Sequence, residues 1–307
     1  MASSMDRNAA PRLERSCAAG DRAGWMRSAP SGPGLERIEA YFAGHGFDPH
    51  RHDTYAVGFT MRGVQAFRYR GASTCSVPGQ VFVLHPDELH DGRAGTDDGF
   101  RYRILYVEPA LIRDALGETR RSLPFARDAV TDDPRLLQAV VPALADLDDP
   151  LDELQRDRIV QGLADALAAV DPDRGRPLSA RDRRAVDRAR DLLDAGVERG
   201  VASAELEAAT GLSRYALARQ FRACLGTSPY RYLVLRRLDR ARALIRAGVP
   251  LAEAAAASGF ADQSHLTRQF RRAYGLSPGR WSMLVRQSGS RSDDIIGPCE
   301  SALWPIK

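Results

Sequence analysis

The sequence predicts an α+β chain of two domains. The front half is a small β-barrel or double-sheet jelly roll with flanking helices. The back half is all-α, with two helix-turn-helix units joined by one long linker helix. Three observations predict this division. Short β-like runs broken by glycine and proline turns fill residues 54–107. Near the C-terminus a helical unit is written twice: Leu217, Arg219, Phe221, Gly226, Ser228 and Pro229 recur as Leu266, Arg268, Phe270, Gly275, Ser277 and Pro278, every pair 49 positions apart. Charge divides at the same place, because residues 178–286 carry 20 arginines against 10 acids while residues 1–177 carry 22 against 27. A net charge of +4 says little by itself, but its segregation into an acidic front and a basic end is an electrostatic footprint of nucleic-acid binding.

Residues 1–34 are rich in Ser, Gly, Ala, Pro and Arg without a period, and read as disordered. Residues 35–42 read as a brief helix or an edge segment. The runs 54–61, 65–70, 73–77, 80–84 and 100–107 read as strands, separated by turn chemistry at Gly63, Gly71, Pro78-Gly79 and 92–99. Arg68, Arg101 and Arg103 alternate with apolar or aromatic residues, and an inward-facing arginine among them would bind a carboxylate; alternation alone does not say which face is inside. A short helix follows Pro109, and two longer ones, over 134–147 and 151–170, carry apolar rows that either pack on the barrel or form a dimer contact. The polar, proline-flanked stretch 171–177 reads as a linker.

The histidines of the front half admit three readings. His50-x-His52 with His90 has the residue types of a metal site, since imidazole suits Zn, Fe or Ni. The glutamate that usually accompanies such a pair is absent, with Thr54, Tyr55, Ala56 and Val57 in its window. The favoured reading is therefore a metal-free pocket for a small polar effector, lined by His50, His52, Tyr55, His85 and His90, with no resident cofactor. The third reading leaves the histidines as hydrogen-bonding groups at the barrel rim.

In the back half residues 181–195 form a first helix. A helix over 204–210 then turns at Gly211, and a second runs over 213–225 from the cap Ser213, with Leu217, Phe221 and Leu225 inward. The second copy runs 251–258, turns at Gly259 and resumes at the cap Asp262, with Leu266, Phe270 and Tyr274 inward. Between them Ser228-Pro229 starts a helix reaching about residue 247, roughly 28 Å long at about 1.5 Å per residue. A rod of that length can set two helices in successive major grooves, about 34 Å apart. The outer faces left exposed carry Arg214, Tyr215, Arg219 and Arg222 in the first copy, and Gln263, Ser264, His265, Thr267, Arg268 and Arg271 in the second. These are hydrogen-bonding and cationic side chains suited to base edges and phosphates. An arginine-rich solvated face would look similar, but recurrence in register favours the DNA reading.

Gly211-Leu212-Ser213 with Leu217-x-Arg219-x-Phe221, Gly226-Thr227-Ser228-Pro229, and above all Gly259-Phe260-Ala261-Asp262-Gln263-Ser264-His265-Leu266 followed by Tyr274-Gly275-Leu276-Ser277-Pro278 resemble the AraC-type (AraC/XylS) transcription regulators over roughly 110 residues. The resemblance implies a cupin-like effector-sensing and dimerisation domain over 35–170, a linker over 171–178 and a DNA-binding domain over 179–286; the Ser- and Gly-rich stretch 287–307, without a period, reads as a flexible tail. It implies base contacts from Tyr215, Arg219, Ser264, His265 and Arg268, a homodimer, contact with RNA polymerase, and activation of transcription in response to a small-molecule effector. Glu207 departs from the family, which places a small residue there between the helices. The chain is accordingly read as a regulator of double-stranded DNA and not an enzyme; the alternative is a metal-dependent cupin enzyme domain fused to a DNA-binding domain. No apolar run reaches 18 residues, no signal peptide is visible, and Cys17, Cys75, Cys224 and Cys299 stand isolated, so a reduced cytoplasmic protein without membrane contact is expected.

Overall fold

The computed structural model describes residues 24–29, 31–117, 122–172 and 179–289. Ten antiparallel strands form two sheets facing each other. The larger has the order β1 (Trp25–Ala29), β2 (Leu35–Phe42), β9 (Phe100–Val107), β4 (Tyr55–Gly63), β7 (Val81–Leu84), β10 (Val130–Thr131), and the smaller β3 (His45–His50), β8 (His90–Ala94), β5 (Gln65–Tyr69), β6 (Ala72–Ser76). Period-2 alternation divides the larger sheet cleanly. Ile38, Ala40, Phe42, Ala56, Phe82, Leu84, Phe100, Tyr102 and Ile104 face the smaller sheet. Tyr55, Val57, Val81, Val83, Leu105 and Val107 face outward, under helices α1 (Pro109–Leu116), α2 (Pro134–Ala143) and α3 (Glu153–Val170). Leu136, Val140, Leu144, Leu147, Leu163 and Leu167 are all buried there, so the apolar rows of α2 and α3 pack on the sheet of their own chain. Leu154, in the first turn of α3, is exposed.

Two expectations for the front half are corrected. Trp25–Ala29 is a strand, so the irregular segment does not extend to Gly34, and Leu35–Phe42 is a central strand and not a helix or an edge. The reason is that β2 hides charges. Glu39 is fully buried beneath Arg27, Arg101 and Arg103, and Arg37 donates to the carbonyls of Asp146 (2.7 Å) and Asp149 (2.7 Å) in the α2–α3 loop. Charged residues at inward-reading positions disguise a two-sided strand. The same geometry settles the alternating arginines: Arg101 and Arg103 bind this chain's own Glu39, while Arg68 is exposed.

The back half contains α4 (Ala180–Ala195), α5 (Ser203–Thr210), α6 (Arg214–Leu225), α7 (Pro229–Arg246), α8 (Leu251–Ala257), α9 (Gln263–Tyr274) and α10 (Pro278–Gly289). The last helix runs past the expected boundary at 286. Residues 1–23, 173–178 and 290–307, to which the rest of the N-terminal segment, most of the linker and most of the tail were assigned, lie outside the described residues. Val186, Leu193, Leu206, Leu217, Phe221 and Leu233 form a core for α4–α6 and the start of α7. The rest of α7 with α8–α10 packs around Leu238, Phe260, Leu266, Phe270 and Trp281, and this core is continuous with the interior between the two sheets. The front half thus shares a hydrophobic core with the second helix pair.

Candidate nucleic-acid interface and interdomain cavity

Both helix pairs are built by the local chemistry that the repeat predicts. Gly211 (φ +69°) and Gly259 (φ +79°) take the left-handed conformation at the turns. Ser213 accepts the Ala216 N–H at 3.4 Å, and Asp262 accepts the His265 N–H at 2.6 Å. Glu207 does not disturb the first pair: its carboxylate accepts the Arg214 N–H at 2.6 Å, adding a second acceptor at the N-terminus of α6. With Leu217, Phe221, Leu266 and Phe270 buried, Arg214, Tyr215, Arg219 and Arg222 stand exposed on α6 and Gln263, Ser264, Arg268 and Arg271 on α9, while His265 and Thr267 are half-buried. Arg214 lies over the Tyr215 ring and His265 meets Phe260 edge-on. Among the described residues no ion-pair partner is recorded for Arg219, Arg268 or Arg271.

The arginines of α7 do something else. Several of them turn to the front half and not to solvent. Arg236 bridges Glu108 (2.5 Å) and Asp53 (3.1 Å), Arg242 reaches Glu36 (2.8 Å), and Arg231 donates to the Arg51 carbonyl (2.7 Å). Arg237 and Arg240 stay within the back half, on the Val197 carbonyl and Glu198. Arg222 also leans on Asp87 of the front half at 3.9 Å. The seam acids Glu36, Asp53 and Glu108 are not singled out by the sequence, and Arg222 is read there only as a DNA-facing residue. The apolar stripe of α7 marked its arginines as solvent-facing, and nothing local to Glu36, Asp53 or Glu108 announces a partner about 130 to 206 positions away.

The seam is electrostatically tight. Burial pushes the Glu36 carboxyl up, but the charge and hydrogen bond of Arg242 outweigh it and hold the group below the usual carboxylate range. Asp53 goes the other way: burial, with Asp239 and Glu108 close by, lifts it to about 6 in spite of Arg236. Beside these pairs lies a cavity of about 530 Å³ between the halves, bordered by Glu36, Asp53, Glu108, Arg236, Arg242 and Trp281 among others, and also by His50 and His52.

The five residues expected to line one effector pocket are divided. His50 and His52 border the cavity, and His90 packs against both, with ring centroids 4.2 and 4.7 Å away. Tyr55 and His85 do not join them. Tyr55 is fully buried and donates to the Pro124 carbonyl at 2.7 Å. His85 accepts the Ala126 N–H at Nε2 (3.0 Å), meets the Tyr69 hydroxyl at Nδ1 (2.7 Å) and stacks on Phe125. Both ring nitrogens being engaged, it is a structural group. Burial lowers all four histidines, His85 to about 3 and His90 to about 4.

A two-sheet sensor half joined to a paired-helix half with exposed cationic faces defines a ligand-responsive DNA-binding regulator. Residues 32–166 match the family described as the AraC-like ligand binding domain, and residues 206–283 match a helix-turn-helix domain. The chain thus carries the two domains of an AraC-type transcription regulator, a ligand-binding domain followed by a helix-turn-helix domain. It is 27% identical over 235 residues to the uncharacterized HTH-type transcriptional regulator YbfI of Bacillus subtilis (strain 168), covering 75% of this chain and 86% of that one. Among solved structures it is similar in fold to ToxT from Vibrio cholerae. The unsaturated fatty acid-bound wild type from strain SCE256 superposes with a TM-score of 0.59 at 12% identity over 86% of this chain and 96% of that one, and ToxT from Vibrio cholerae O395 with 0.56 at 13% over 86% and 97%.

Proposed function

We propose that the protein reads an asymmetric DNA site with the outer faces of α6 and α9, and that a small effector in the interdomain cavity sets how firmly the front half holds α7. The observation that carries this is a division of labour among arginines. Those of α7 are tied to carboxylates and carbonyls, whereas Arg219, Arg268 and Arg271 face solvent from helices of a width that a major groove admits. Within that face Tyr215, Arg219, Ser264, His265 and Arg268 contact bases, and Arg214, Arg222, Gln263, Thr267 and Arg271 contact phosphates or base edges nearby. An effector shifts the equilibrium only through different affinities for the held and released arrangements, and a cavity lined by both halves supplies that difference. His50 and His52 belong to its wall; the lining is polar enough for a polar ligand, while the ToxT neighbour is known with a fatty acid.

Action as a homodimer in the cytoplasm, contact with RNA polymerase, and activation of transcription complete the proposal; among the described residues no helix is long and apolar enough to cross a membrane. The proposed division is a sensor to about residue 170 and a DNA-binding domain from 179. The test is binding of the purified chain to a duplex obtained by sequence selection against a random duplex of equal length. Arg268→Ala is expected to weaken the selected duplex by about 1–3 kcal/mol and the random one far less. Equal losses on both would mean that Arg268 serves as a phosphate contact only. An enzyme reading keeps one observation, the cluster of His50, His52 and His90, and requires turnover of a substrate by the front half.

A further inference from the structure

The rings of His50, His52 and His90 are oriented by one repeated device. His50 Nδ1 faces the Asp48 carbonyl at 2.8 Å, His52 Nδ1 the Thr54 carbonyl at 2.9 Å, and His90 Nδ1 the Glu88 carbonyl at 2.9 Å. A carbonyl oxygen only accepts, so the single proton of each neutral ring sits on Nδ1 and Nε2 keeps a lone pair. His50 and His90 are cross-strand partners of β3 and β8, and His52 follows two residues on, which brings the three rings together by register. Their ligand atoms all lie within 4.8 Å of one another, all three residues are buried, and His52 Nε2 has no hydrogen-bond partner among the described residues. Three lone pairs converging in a buried space satisfy nothing among themselves. A water molecule can donate to two of them; a cation satisfies all three.

We propose that His50, His52 and His90 bind one divalent transition-metal ion through Nε2, and that its occupancy is read by helix α9. Three imidazoles without a carboxylate favour Zn, Fe, Co, Ni or Cu over the oxygen-seeking Mg or Ca. At about 2.1 Å from each nitrogen a tetrahedral ion needs nitrogens roughly 3.4 Å apart, so the rings close by about an ångström. Carbonyls holding Nδ1–H are the outer-shell partners that metal-binding histidines use. His50 and His52 also border the cavity, which places the site beside the effector space.

The link to α9 runs through the backbone beside these residues. Asp48 N–H donates to the Gly275 carbonyl (2.9 Å) and Arg51 N–H to the Arg272 carbonyl (3.0 Å), both at the C-terminal end of α9. Gly275 sits so close that a Cβ there would lie 2.7 Å from His50 Nδ1. Drawing His50 and His52 onto an ion therefore moves the stretch to which α9 is bonded. This second half rests on the DNA-binding reading above; the metal site does not.

The full chain, stripped by a chelator, is titrated with Co²⁺ by visible absorption and with Zn²⁺ by calorimetry. One equivalent per chain is expected. His90→Ala should bind more weakly by over about 100-fold, beyond what loss of an outer-shell partner produces. His45→Ala, which removes an exposed imidazole on the strand of His50, should bind like wild type. His90→Gln replaces the alanine variant if that does not fold, and X-ray absorption of the Zn-loaded wild type should show imidazole scattering whatever the variants do. Absence of saturable binding, or equal binding by wild type and the His90 variant, overturns the site. Loaded and stripped chains are then compared on the selected duplex, where a change of about 5-fold or more is expected for wild type alone. Metal bound with unchanged DNA affinity overturns the link to α9 and leaves the site standing. If neither form binds DNA, the regulator reading fails while the titration still decides the metal.

Discussion

His85 illustrates how a polar residue is kept inside a sheet edge. Its ring accepts a backbone N–H, meets a tyrosine hydroxyl and stacks on Phe125, and its pKa falls to about 3 because burial penalises the cation. Below about pH 6.5 the unfolded chain takes up a proton that the folded chain refuses until about pH 3. Stability is thus lost as pH falls through that window, by about 1.4 kcal/mol per pH unit from this group. Asp53, raised to about 6, pushes in the opposite direction between 6 and its ordinary value, so the group is best isolated by difference. Denaturant unfolding at pH 6.5 and pH 5 is expected to show a smaller acid loss in His85→Gln than in wild type; equal losses would mean that His85 is protonated in the fold. The sequence places His85 in an effector pocket; its true partners, Tyr69 and Ala126, arrive through tertiary packing and leave no local signal.

Elements were legible in proportion to how local their causes are. Helices α4 to α9 were readable almost to the residue because caps, glycine turns and apolar spacing all lie within the segment. Strands β3 and β8 were missed because His45–His50 contains Gly, Asp and Pro, and His90–Ala94 contains Asp, Gly and Arg, which read as turns. These are the strands that assemble the histidine cluster. The rings were legible as residues, but the register that joins His50 to His90 was not. A test at this scale concerns the cap of α9: Asp262→Ala removes the acceptor for the His265 N–H and should cost about 1 kcal/mol, seen as a lower Tm by circular dichroism. Gly275→Ala should cost more than that cap, since a Cβ meets the Asp48 carbonyl at 2.5 Å at a positive φ.

For the whole molecule, the decisive feature is that one helix serves two halves. The α7 face carrying Leu238, Ala241 and Ile245 belongs to a core shared with the sheets, and Arg236 and Arg242 bind Glu36 of β2, Glu108 just after β9 and Asp53 just before β4. Removing Arg242 leaves Glu36, half-buried beside the cavity, without its main counter-charge. Arg242→Met should therefore loosen the halves, raising sensitivity to limited proteolysis, and should make DNA binding less dependent on effector. Limited proteolysis with unchanged rates would show that the ion pair does not hold the seam. The two-domain architecture and the cationic outer faces were legible in the sequence because repeats and charge segregation are linear patterns. The seam and cavity were not, because they join residues far apart in the chain.

The most direct measurement concerns spacing. If α6 and α9 are two readers held by the α7 rod of roughly 27 Å, one chain protects two major-groove segments about 10 base pairs apart on the same face of the duplex. Inserting about 5 base pairs between those segments puts them on opposite faces. The account predicts that affinity for the altered duplex falls to the level of random DNA. An affinity unchanged by the insertion would contradict it.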